Sequence, residues 1–157
     1  ILITVTGFTL AHSMTLAFSA LNIIRVPVPP VEAVIALSIV FLATEIAKGK
    51  KDSLTWRYPI AVSSSFGLLH GLGFAAALAE IGLPQTELLT GLLFFNVGVE
   101  IGQILFVIAV IFIITLIRRA LIDHNAFSRL VPTVQLVSVY IVGGWASYWL
   151  VERCAAF

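Results

Sequence analysis

Residues 88–117 read LLTGLLFFNVGVEIGQILFVIAVIFIITLI, a run whose only charged side chain is Glu100. A helix that crosses a bilayer needs about 20 mainly apolar residues, so this stretch exceeds a straight crossing and is expected to tilt, to extend beyond the hydrocarbon, or to bend near Gly98 or Gly102. Working outward, four more apolar runs stand between breakers: Leu2 to Ile24, Val31 to Ala47, Tyr58 to Ile81 and Val131 to Val151. Pro27, Pro29 and Pro30 close the first link, the segment Lys48 to Arg57 forms the second, Gly82-Leu83-Pro84 the third, and Arg118 to Arg129 the fourth. The expectation is an all-α polytopic membrane bundle with five crossings, forming one domain over residues 1–157.

Composition agrees. Sixty per cent of the residues are hydrophobic and 11% charged, and mean hydropathy is +1.09, well above soluble domains. The net charge of +1 and the gathering of Lys and Arg at segment ends leave no basic face for nucleic acid. The one cysteine, Cys154, excludes an internal disulfide and a two-cysteine metal site. Lys48, Lys50, Lys51 and Arg57 in the second link, with Arg118, Arg119 and Arg129 in the fourth, place both links in the cytoplasm. Ile1 is then inside and Phe157 outside, with Trp145, Tyr148 and Trp149 as an outer aromatic belt. Because the chain opens within an apolar run, a preceding crossing and an exported N-terminal region are expected.

Polar side chains deep in these runs are costly in lipid and mark function. His12 and His70 lie about 15 to 18 Å from the start of their segments at 1.5 Å per residue, and Glu100 is similarly central. Asn96 and Gln103, at i−4 and i+3 from Glu100, share its face. Thr9, Ser13 and Ser19 surround His12, and Ser63, Ser64 and Ser65 precede His70, as hydrogen-bonding support. Two imidazoles and a carboxylate at equal depth suit Ni²⁺, Co²⁺ or Zn²⁺, so His12, His70 and Glu100 are the candidate metal ligands, with Asn96, Gln103 and Ser13 supporting them. Gly67 and Gly71 bracket His70, and Gly98 and Gly102 bracket Glu100 at G-x-x-x-G spacing. That pattern predicts packing of the third run against the fourth, with His70 set against Glu100. The other acids have plainer readings. Glu45 pairs with Lys48 at i+3, Glu32 and Glu87 favour helix starts, and His124 is solvated in a charged link.

Gly7-Phe8-Thr9-Leu10-Ala11-His12-Ser13-Met14-Thr15-Leu16, Phe66-Gly67-Leu68-Leu69-His70-Gly71-Leu72-Gly73-Phe74 and Phe95-Asn96-Val97-Gly98-Val99-Glu100-Ile101-Gly102-Gln103 resemble the signature segments of the HupE/UreJ family of membrane proteins. The likeness is best to the branch with an exported N-terminal region. The resemblance implies a nickel or cobalt permease, or an accessory protein of hydrogenase or urease, in a bacterial inner membrane. Hydrogenase-linked members have an Asp-His pair in the first helix and a Phe-His-Gly-x-Ala-His-Gly-x-Glu run in the third. Here Ala11 precedes His12, Phe66 replaces the earlier His and Gly73 the Glu, which leaves the Asn96-Glu100-Gln103 face to supply replacement ligands.

The expected partners are the bilayer and a divalent transition metal, and a homo-oligomer is compatible with the sequence. A transporter is favoured over an enzyme, since no His-Glu-x-x-His or Gly-x-Ser-x-Gly run is present. Alternatives are an intramembrane zinc hydrolase, a proton-coupled carrier with Glu100 and the histidines as relay, and a two-histidine haem protein.

Overall fold

Proline and a left-handed turn set the first helix boundaries. Helix α1, Leu2–Ala20, ends where Asn22 takes φ 59°, which lets the Ile23 amide return to the Phe18 carbonyl at 2.9 Å. Pro27 then stands before α2, Val28–Lys48, with Pro29 and Pro30 in its first turn, where no amide hydrogen is needed. Gly49, at φ 59°, terminates α2. The short α3, Leu54–Arg57, leads into α4, Pro59–Ile81; then come α5, Leu88–Ala120, and α6, His124–Cys154. The computed structural model describes residues 1–49, 52–81, 87–120 and 124–156, with side chains described except at 75–81, 120 and 124–129. The Gly82-Leu83-Pro84 turn, Lys50, Lys51 and the side chain of His124 lie outside the described residues.

No strand occurs among the described residues, and the fold is an all-α bundle. Four helices, α1, α2, α5 and α6, are long and apolar enough to cross a membrane, and α4 has 23 residues. The chain is an integral membrane protein. Two expected boundaries move. Helix α5 continues through Gly98 and Gly102 for 33 residues, about 50 Å, so it extends beyond the hydrocarbon. Helix α6 begins at His124, so much of the expected fourth link is helical and Pro132 lies within it.

Packing follows an order unlike the chain order. Helix α1 lies against α4 and α5, while α2 lies against α4 and α6, giving the lateral sequence α5, α1, α4, α2, α6. Directions alternate as crossings require. Ser63 Oγ donates to the Thr4 carbonyl at 2.8 Å and Thr15 Oγ1 to the Leu68 carbonyl at 2.8 Å, so α1 and α4 are parallel. Glu32 near the start of α2 meets Arg153 near the end of α6 at 3.2 Å, so that pair is antiparallel.

The predicted close packing of the third and fourth runs is not what forms. Gly67 and Gly71 face α1: a Cβ on Gly67 would strike the Phe8 carbonyl, and one on Gly71 the His12 carbonyl and the Thr15 hydroxyl. Gly98 and Gly102 have no neighbour within 4 Å of such a Cβ. Helices α4 and α5 touch through the stacked rings of Phe74 and Phe95, centroids 4.9 Å apart. The reason is supply of small residues. Gly7, Ala11 and Thr15 give α1 a face that accepts the α4 glycines, and lipid leaves only such close packing and interhelical hydrogen bonds to hold helices together.

Candidate functional site

His12 projects from α1 into the seam with α4 and is only 5% exposed. Both of its ring nitrogens are buried without a hydrogen-bond partner. Aromatic rings wall it in: Phe8 stacks at 5.8 Å and 15°, and Phe74 of α4 approaches edge-on at 6.2 Å. The Phe8 ring also meets His70 edge-on at 5.5 Å, so one phenyl ring touches both imidazoles. His70 Nδ1 lies 2.8 Å from the Phe66 carbonyl, one turn earlier on α4. A carbonyl accepts only, so Nδ1 carries a hydrogen; in the neutral ring Nε2 then keeps its lone pair, a tautomer that metal-binding histidines use.

Glu100 stands apart from this pair. Thr6 Oγ1 donates to Glu100 Oε1 at 2.7 Å, and Thr6 precedes His12 by six residues, about 9 Å along α1. The expected equal depth therefore fails: Glu100 sits nearer the Ile1 end because α5 runs antiparallel to α1 and pairs with its first turns. Among the described residues no three His, Cys, Asp or Glu side chains converge on one point. A catalytic zinc centre needs three protein ligands and an open position.

The supporting residues divide as well. Asn96 and Glu100 line one groove between α1 and α5 with Thr6, Thr9 and Ser13. Gln103 turns to the neighbouring groove, where Phe8 and Ser63 are also found, and accepts from Thr9 Oγ1 at 3.0 Å. The serines expected around His70 bond elsewhere, Ser63 to the Thr4 carbonyl and Ser65 to Ala61. Ser13 Oγ donates to the Thr9 carbonyl at 2.6 Å. Two peripheral readings also change. Glu45 accepts from the Thr55 amide at 3.1 Å, holding the start of α3 instead of serving Lys48 alone. Glu32 lies past the first turn of α2 and pairs with Arg153, which also covers the Trp149 ring at 5.7 Å. Trp145 and Tyr148 are exposed, as an aromatic belt requires.

Sequence reasoning passed over Thr6, Phe8 and Phe74. Thr6 had a signal, since Thr6, Thr9 and Ser13 fall at i, i+3 and i+7 and form a hydroxyl stripe on one face of α1. The two phenylalanines had only their place in the quoted segments, because apolar rings are ordinary in a membrane helix.

A family model described as HupE / UreJ protein matches residues 1–153. The chain belongs to the HupE/UreJ family. No curated protein and no solved structure matches it. The three segments that carry the family likeness lie on α1, α4 and α5, so the HupE/UreJ signature and the polar interior occupy the same three adjacent helices.

Proposed function

We propose that this HupE/UreJ protein binds a divalent transition metal of the nickel, cobalt or zinc type and passes it across a bacterial inner membrane. His12 and His70 are its imidazole ligands. The observation that carries the reading is His12 itself, buried with both nitrogens unpartnered. Leaving buried polar atoms unpaired costs about 1–3 kcal/mol, which a residue kept only for packing has no reason to bear. The lone pair on His70 Nε2 supports a second ligand beside it. Imidazole suits these ions, and their other coordination positions would be filled by water or by carrier groups in transit. Two neutral ligands make a weak site, which fits passage better than storage. Glu100, about 9 Å along α1, is not a third ligand in this reading.

Calorimetric titration of the purified protein with Ni²⁺, Co²⁺ and Zn²⁺ tests it. His12→Ala and His70→Ala are each expected to weaken binding by at least about tenfold, or 1.4 kcal/mol, while Glu100→Gln keeps it. Wild-type affinity in both histidine variants refutes the imidazole pair.

A further inference from the structure

The groove between α1 and α5 encloses about 480 Å³ and is lined on its polar side by Thr6, Thr9, Ser13, Asn96 and Glu100. Every hydroxyl hydrogen there is already committed: Thr6 to Glu100 Oε1, Thr9 to Gln103 Oε1 or the Val5 carbonyl, and Ser13 to the Thr9 carbonyl. One Asn96 amide hydrogen goes to the Leu92 carbonyl at 2.8 Å. The buried atoms of the groove left without any partner are oxygens. Asn96, 9% exposed, has a buried Oδ1 without a partner, and Glu100 Oε2 is likewise buried and unpartnered. The two residues are one turn apart on α5 and line the same groove. No Lys, Arg or His lines it.

A low-dielectric groove with no cationic side chain, whose unpartnered atoms are an amide oxygen and a carboxyl oxygen, takes a cation. The donors are all hard oxygens, so a thiophilic or imidazole-seeking metal is poorly served. One carboxylate balances one positive charge. We infer that Asn96 and Glu100 form the core of a binding site for a hard monovalent cation of sodium type, separate from the imidazole pair and independent of it.

Thermal unfolding of the detergent-solubilised protein in NaCl, KCl and choline chloride, at equal ionic strength and pH, tests this. A saturable rise in Tm specific to Na⁺ is expected in wild type. It should persist in His12→Ala and vanish in Glu100→Gln and in Asn96→Leu. Equal response to all three salts, or a Na⁺ response that survives Glu100→Gln, overturns the site. A stability change that follows pH, ignores Na⁺ and disappears in Glu100→Gln means that the groove holds a proton, which also overturns it. Should the variants fail to fold, binding of ²²Na⁺ to wild-type protein, displaced by unlabelled Na⁺ but not by choline, gives the same decision: no displaceable binding refutes the proposal.

Discussion

Replacing Gly71 with alanine puts a methyl group into the tightest seam of the molecule. The new Cβ would stand under 3.0 Å from the Thr15 hydroxyl and from the His12 carbonyl, and 3.0 Å from the Leu16 nitrogen. Two of these are backbone atoms of α1, which a rotamer change cannot move, so the helices must separate. Overpacking of this kind costs roughly 1–3 kcal/mol. Separation also strains the bond from Thr15 Oγ1 to the Leu68 carbonyl, and interhelical hydrogen bonds in membranes average about 0.6 kcal/mol. The better helix propensity of alanine returns up to about 1 kcal/mol. The net expectation is a loss of about 1–3 kcal/mol, read by unfolding in mixed micelles, together with weaker metal binding because His12 sits on the displaced turn. Gly98→Ala is the control, since its Cβ meets nothing within 4 Å, and it should be neutral or slightly stabilising. Wild-type stability in Gly71→Ala, or an equal loss in Gly98→Ala, would refute the placement of α1 beside α4.

Three further outcomes are expected. Single cysteines placed in residues 49–57 and 119–128 should label from the cytoplasmic side, and labelling from outside would invert the orientation. Thr6→Val removes the donor to Glu100 Oε1 and should cost about 1–3 kcal/mol, whereas Thr6→Ser should restore most of it; equal stabilities of the two variants would show the bond to be idle. Glu32→Gln should cost less than about 1 kcal/mol, with the difference shrinking at high salt, because the Arg153 pair is partly solvated; a larger, salt-insensitive loss in the same unfolding assay contradicts that.

The all-α class and the five long helices were legible, though not the short α3, because lipid imposes a length and punishes charge, and Pro27, Gly49 and the apolar run of 88–117 obey those constraints locally. Neighbour order was not legible. A G-x-x-x-G spacing states that some helix will come close without naming it, so Gly71 and Gly98 read alike although one is sealed by α1 and the other is open. The depth of Glu100 was misjudged for a related reason: counting from Leu88 gives distance along α5, while its level beside His12 depends on where α5 meets α1. His12 stood out correctly as a buried polar group. Its isolation depended on Phe8 and Phe74, one of them on another helix, and no single segment announces such an enclosure.

The lateral order α5, α1, α4, α2, α6 also sets a timetable for synthesis. Thr4 waits for Ser63, 59 residues later, and Thr6 for Glu100, 94 residues later. At about 5–20 residues per second those delays are roughly 3–12 s and 5–19 s. Until α4 brings Phe74, His12 lacks its cover from that helix, and α2, the next helix to emerge, is not among the main packing neighbours of α1 in the finished fold. Helix α1 therefore waits for its packing partners through most of the chain's synthesis, and the seam that encloses His12 closes late.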